Sequence, residues 1–346
     1  MIRALVIDDS AYNRVTLSRM LEASGEVTVV ATAIDGEDGI KQTVRHRPDV
    51  ITLDLEMPHI DGFAFLRWLM LNQPTPVIAV SSRSSDRSVF KALELGATDF
   101  IAKPGGRVSV RLEEIQADLI SKVRIAREVS LENLSKRVGE SLAPEHRDRP
   151  ADDAEPSVDL IVVGASTGGP PALQSIFQKA APLSVPFVVA QHMPPTFTRL
   201  FAERVDRLSR YRVREGRDGD LLEQGTVYVA PGGMQTEIAQ NDGQLALRVF
   251  EPSERDLYSP SVNRLFSSAA EIVGSRLIAI VLTGMGDDGS GALGKVRTRG
   301  GRTIAESETS AIIYGMPREA IKTGFVDEIV PLSDIPERLR QLCLSC

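Results

Sequence analysis

Cysteine is almost missing from this chain of 346 residues: there are two, Cys343 and Cys346, both within the last four positions. A disulfide-stapled fold is thereby excluded, and two thiols spaced C-x-x-C cannot close a structural zinc site on their own. With no strand-helix unit following them, the expected reading is a reduced tail. Positive charge is also short, since 40 Lys and Arg face 47 Asp and Glu for a formal net charge of -7. That balance argues against a chain held on nucleic acid or on an anionic membrane by bulk electrostatics. No uncharged apolar run is long enough to span a bilayer, and the opening "MIRALVIDDS" reaches two aspartates before any signal-type apolar core develops. A cytoplasmic protein with a protein partner or a small substrate is expected.

What is present is α/β periodicity, twice over. From residue 2 to about 125, the runs "RALVID", "VTVVAT", "DVITLDL", "PVIAVSS" and "ATDFIAKP" alternate with amphipathic segments. Five strands each followed by a helix imply a doubly wound parallel sheet. Residues 108 to 137 have helical spacing and predict one long helix leaving that domain. "GESLAPEHRDRPADDAEPSVD" then loses periodicity and fills with proline, charge and small residues, which is a linker. Strand signals return after residue 157 in "DLIVVG", "PFVVAQ", "TVYVAP", "LALRVF" and "RLIAIVLTG", with helical patterns between several of them. A second α/β domain follows, its sheet mostly parallel, with a hairpin expected over about 225 to 250 around "QNDGQ". The predicted division is 1–125, a helical extension and linker over 126–157, and 158–346.

Ligands in parallel sheets gather at the carboxyl ends of strands. In the first domain those ends carry Asp8 and Asp9, Asp54, Ser81, and Lys103 followed by Pro104. Converging carboxylates repel unless a cation joins them, and an all-oxygen set suits Mg²⁺. Surface acids at strand ends would explain each residue singly. They explain the set poorly, because Ser81 and Lys103 fall where a phosphoryl group needs a hydroxyl and a cation.

Together "DDS", "LDLEMP", "SS" and "AKP" resemble a response-regulator receiver domain over residues 1 to about 125. The resemblance implies that Asp54 is phosphorylated by a histidine kinase. It further implies that Asp8, Asp9, Asp54 and the backbone of Glu56 hold Mg²⁺, that Ser81 and Lys103 contact the phosphoryl group, and that Phe100 is a switch aromatic.

In the second domain, "GASTGGP" poses a choice between a nucleophilic serine and a phosphate-cradling turn. It matches neither G-x-G-x-x-G nor G-x-x-x-x-G-K-[ST], while "GASTG" fits G-x-S-x-G with Ser166 between a strand and a helix opened by Pro170 and Pro171. That pattern is weak alone. A serine needs a base, usually histidine. Of four histidines, His46 and His59 fall in loops of the first domain and His146 in the linker, leaving His192 at the end of "PFVVAQH". "LTGMGDDG" then offers Asp287 or Asp288 to orient it and glycine-flanked N–H groups to face an oxyanion. The order Ser, His, Asp differs from that of α/β-hydrolases, so their fold is not implied.

The segments "GASTGGP", "QHMPPTFTRLFAERV", "YVAPGG", "LTGMGDDG" and "GMPREAI" resemble the CheB family of chemotaxis protein-glutamate methylesterases. The resemblance implies a triad of Ser166, His192 and Asp288, with the Met285 N–H and Thr167 as oxyanion donors and no cofactor at the esterase site. It also implies hydrolysis of glutamate γ-methyl esters and deamidation of glutamines on chemoreceptor cytoplasmic domains, restrained until a chemotaxis histidine kinase phosphorylates the receiver. Gln235, Ser259 and Asn263 depart from the family pattern, outside the implied triad. A hydrolase of another protein ester or amide, or a non-enzymatic output module, are the rival readings.

Overall fold

The computed structural model describes residues 1–81, 86–103, 110–140 and 157–344. Pro104, Ser82, His146, Cys346 and most of the expected linker lie outside them. The chain divides into two compact units, Met1–Ala143 and Pro144–Cys346, each built on its own sheet.

The first unit contains β1 (Ile2–Ile7), β2 (Val27–Ala33), β3 (Val50–Asp54), β4 (Val77–Ser81) and β5 (Asp99–Ala102). Their order is β2-β1-β3-β4-β5, with every pair parallel. β3 and β4 are buried at every position, as strands covered by helices on both faces must be. Short polar residues start the helices just beyond the strands: Ser10, Asp35 and Asp61 each accept a hydrogen bond from the backbone N–H three residues on. Successive strands fall on opposite sides of β1 and β3, so the crevice at their carboxyl ends is the topological switch point.

The expected long helix is two helices, Val110–Ile125 and Leu131–Glu140. A 3₁₀ turn over Ala126–Glu128 runs into an extended Val129, after which the Ser130 hydroxyl accepts the Asn133 N–H at 3.3 Å. Helical spacing on both sides hid a start signal in the middle. His46 likewise ends the helix Gly36–His46 rather than sitting in a loop.

The second unit contains β6 (Leu160–Ala165), β7 (Phe187–Gln191), β8 (Arg212–Glu215), β9 (Thr226–Val229), β10 (Gln235–Asn241), β11 (Gln244–Phe250), β12 (Leu277–Val281), β13 (Arg302–Glu306) and β14 (Glu328–Val330). Seven of these form one parallel sheet, ordered β14-β13-β12-β6-β7-β9-β8. The hairpin is β10 with β11 alone, turning through Asp242 and Gly243, both at positive φ as a two-residue turn of this hand requires. "TVYV", expected in the hairpin, is instead β9, buried throughout and inserted between β7 and β8. The chain leaves β6 toward β7 and later returns to its other side as β12, which opens a second switch-point crevice beyond β6.

Cys343 is not in a loose tail. It is buried in the helix Ile335–Leu344, where burial pushes its thiol up to about 12. No helix among the described residues is long and apolar enough to cross a membrane.

Candidate functional site

The crevice of the first unit gathers the residues singled out at its strand ends. Carboxylate oxygens of Asp8, Asp9 and Asp54 come within 4.8 Å of one another. Asp8 and Asp54 are buried and Asp9 is exposed. Asp8 accepts the Ser10 N–H at 2.9 Å and both its oxygens lie 3.2 Å from Asn13 Nδ2. Asp54 accepts the Glu56 N–H at 3.0 Å and a bond from Lys103 Nζ, which stands 3.7 Å from Asp8. Burial raises the Asp54 carboxyl above its ordinary value, an effect that Lys103 and the Glu56 amide only partly offset. Ser81 ends the neighbouring β4, and its carbonyl accepts the Lys103 N–H at 2.7 Å. Phe100 is buried on β5, with the Lys122 ammonium 5.2 Å from its ring centroid. Hard oxygen donors converging on one point, with a lysine beside them, can hold a divalent cation and an anionic group together.

In the second unit, three strand ends converge. Sheet register pairs Ala165 with Gln191, so Ser166 and His192 leave adjacent parallel strands at one level, where strands run about 4.8 Å apart. The His192 N–H donates to the Ala165 carbonyl at 3.0 Å, fixing that level. Gly168, at φ +77°, turns the chain from Ser166 into the helix Gly169–Lys179. From the far side of β6, the turn after β12 brings Asp288, whose Oδ2 lies 2.9 Å from His192 Nε2. The carboxylate thereby occupies Nε2 of the imidazole and leaves Nδ1 as the nitrogen outside that bond.

Asp288 and its neighbour Asp287 are not equivalent. Asp287 is exposed, whereas Asp288 is 1% exposed. Beyond His192, Asp288 accepts the N–H groups of Val262 at 2.7 Å and Asn263 at 2.9 Å, and the Ser261 hydroxyl at 3.1 Å. It thus sits on the first turn of the helix Val262–Val273, where unpaired amides favour an anion. Burial alone would raise its pKa, but His192 and these amides together hold the carboxyl below the usual aspartate value.

Thr283 ties the Ser166 turn to the turn after β12. Its carbonyl accepts the Ser166 N–H at 3.1 Å, and its hydroxyl donates to the Thr167 carbonyl at 3.1 Å. Its own N–H donates to the buried Glu306 at 2.8 Å. A Cβ at Gly284 would stand 2.7 Å from Ser166 Cβ, so only glycine lets the segment between β12 and Met285 lie against the serine. Thr167 is buried and Met285 partly exposed.

Sequence reading missed the supports. Gln235, noted only as a departure, is wholly buried; it donates to the Tyr258 carbonyl at 2.7 Å and accepts the Ser261 N–H at 3.0 Å. Tyr258 stacks on His192, ring centroids 4.7 Å apart and planes within 3°. The site also depends on Gly164, where a Cβ would meet Val262 Cγ1 at 2.2 Å, and on Gly289, where one would meet it at 2.7 Å.

Residues 161–339 match the family model described as CheB methylesterase, and residues 4–113 match the response regulator receiver domain. A protein from Myxococcus xanthus (strain DK1622), named protein-glutamate methylesterase/protein-glutamine glutaminase 1, is 48% identical over 342 residues, covering 99% of this chain and 97% of that protein. One from Geobacter sulfurreducens (strain ATCC 51573 / DSM 12127 / PCA), of the same name with the number 3, is 44% identical over 370 residues, covering 99% and 97%. The crystal structure of the Thermotoga maritima CheB methylesterase catalytic domain is similar to 54% of this chain and 98% of its own, at 37% identity and a TM-score of 0.52.

Proposed function

This chain belongs to the CheB methylesterase family, and from that premise we propose that Ser166, His192 and Asp288 carry out its chemistry under the control of Asp54. It is a protein-glutamate methylesterase and protein-glutamine glutaminase with a receiver domain, acting in chemoreceptor adaptation. The functional division we adopt is a receiver over 1–125, a connection over 126–157 and the esterase over 158–346.

Ser166 Oγ attacks the γ-carbonyl carbon of a methylated receptor glutamate while His192 takes the hydroxyl proton at Nδ1. Asp288 stays ionised, fixes the tautomer with the proton on Nε2, and faces the imidazolium once it forms. The Met285 N–H and Thr167 receive the negative charge that develops on the carbonyl oxygen. His192 then protonates the departing oxygen, and methanol leaves. Water attacks the acyl-enzyme with its proton going to His192, Ser166 Oγ departs with that proton, and the free glutamate is released. A glutamine side chain follows the same course with ammonia as leaving group. The observation that carries this reading is the bond from His192 to a buried, amide-held carboxylate, one strand away from Ser166.

In the receiver, the oxygen donors and their spacing fit Mg²⁺, held by Asp8, Asp9, Asp54 and the Glu56 carbonyl. The ion supplies charge neutralisation on the phosphoryl group being transferred. Asp54 is the carboxylate that attacks, and Ser81 and Lys103 hold the phosphoryl oxygens. The phosphodonor is a chemotaxis histidine kinase and the substrate is the cytoplasmic part of a chemoreceptor, which places the reaction in the cytoplasm.

The test is methanol release from methyl-labelled receptor membranes. Ser166→Ala is expected to abolish it, a loss on the order of 10⁶ in kcat by analogy with serine proteases, while Asp54 still takes up phosphate. Turnover near the parent level removes the nucleophile assignment.

A further inference from the structure

Tyr258 stands in the loop between β11 and the helix Val262–Val273, four residues before that helix begins. Its backbone is held in place. Its carbonyl accepts the buried Gln235 amide, and the next residue's carbonyl accepts the Gly233 N–H at 3.1 Å. At the other end, a Cβ on Gly286 would lie 2.8 Å from the Tyr258 hydroxyl. The phenol hydroxyl therefore lies beside the turn that carries Met285 and Asp288, at a residue whose φ of +88° already favours glycine.

Between those ends the ring lies parallel to the His192 imidazole, with 4.7 Å between centroids. Flat carbon faces touch at about 3.5–4.0 Å, so the rings are slid past each other in the offset arrangement that aromatic pairs favour. Asp288 meets the imidazole in its plane, through Nε2. Tyr258 meets it from above. The charged groups around the stacked pair are Asp288 and Asp287, both from the turn after β12; with burial as the first cause, they raise the phenol's pKa and keep it protonated.

The face of a neutral phenol ring is electron-rich and attracts a cation more than a neutral ring. His192 is neutral before reaction and cationic once it has taken the serine proton, so a stack on its face favours the transition state over the ground state. We propose that Tyr258 is a positioning residue for the base, stacking on His192 to orient its ring and to stabilise the imidazolium formed during acyl transfer. This inference rests on the reading of His192 as general base.

The experiment measures the pH dependence of kcat/KM and of kcat for methanol release by the full-length protein, as Tyr258→Phe, as Tyr258→Leu, and with fluorinated phenylalanines at 258. Losing the ring face destabilises imidazolium, so the acid limb of kcat/KM moves to lower pH by about half to one unit in Tyr258→Leu. Its plateau kcat falls about three- to tenfold with KM little changed. Tyr258→Phe restores both. Fluorination keeps the shape but drains the face, so the limb moves down with each added fluorine; this series decides the matter if Tyr258→Leu does not fold. An unmoved limb across the fluorinated series, a limb in Tyr258→Phe as displaced as in Tyr258→Leu, or a change in KM alone overturns the proposal. His192→Gln separates the two readings: if it keeps turnover, the base assignment itself is wrong, whereas its expected loss beside an unmoved limb removes only the role of Tyr258.

Discussion

Asp54 and Asp288 are each 1% exposed and each lies at the switch-point end of a parallel sheet, yet their acidities move in opposite directions. Burial is the largest single influence on both. Asp54 has one amide and Lys103 against it, with Asp8 adding repulsion, so burial prevails. Asp288 has two amides, a hydroxyl and an imidazole, and burial is outweighed. The difference suits the role proposed for each. A carboxylate that accepts a phosphoryl group needs open lone pairs and an incomplete shell that a cation can fill; one that steadies a histidine works best when every lone pair is occupied.

The comparison breaks most visibly in catalysis. Asp288→Asn is expected to cost on the order of 10⁴ in methanol release, because the amide favours the wrong imidazole tautomer. Asp287→Asn, at an exposed position outside the carboxylate's hydrogen bonds, should cost less than about threefold. A larger loss at Asp287 than at Asp288 would reverse their roles.

A second effect belongs to the other aspartate. Asp54→Asn should erase the ratio of turnover with and without a small phosphodonor and Mg²⁺. If that ratio is about tenfold in the parent protein, a differential stability of only about 1.4 kcal/mol lies behind it. Stimulation that survives the substitution would place the phosphorylated residue elsewhere.

The smallest effect sharpens the contrast directly. An unfolded aspartate titrates near about 3.9, and the Asp288 carboxyl titrates below that when folded. The stability it contributes is therefore present above about pH 4 and is lost as pH falls through its folded value. Asp54, raised instead, weighs against the fold at neutral pH and is relieved as pH falls from its folded value toward the unfolded value of about 3.9. By calorimetry without Mg²⁺ at pH 7, Asp288→Asn should lower the stability of the esterase unit by about 1.5–3 kcal/mol. Asp54→Asn should raise that of the receiver unit by about 1 kcal/mol. A decrease for both would mean that the Lys103 pair outweighs burial at Asp54.

Apolar runs and strand-end polar residues made much of this legible in advance. The five strands of the receiver, and the positions of Ser166 and His192 after β6 and β7, could be read from local pattern alone; after β12 the pattern offered Asp287 or Asp288, and only the family resemblance chose between them. β8, β13 and β14 could not, being three to five residues long and rich in charge. The break at Val129 was masked by helical spacing on either side of it. The supports of the site were hidden for a different reason. Asp288 meets Val262 and Asn263 across 26 and 25 residues of sequence, and Gln235 meets Ser261 across 26. Periodicity reports which face of an element is buried, not which distant backbone amide lies beneath it.

Val262 offers its amide to Asp288 while its side chain fills the space left by Gly164 and Gly289. One methyl-bearing side chain is thus shared by the strand that leads to Ser166 and the turn that carries Asp288. Gly164 cannot gain a side chain unless residue 262 loses bulk at the same time, and Gly289, at φ +99°, would be strained even then. The first glycine of "GASTG" is then less a mark of serine chemistry than the seat of a side chain whose own amide holds Asp288.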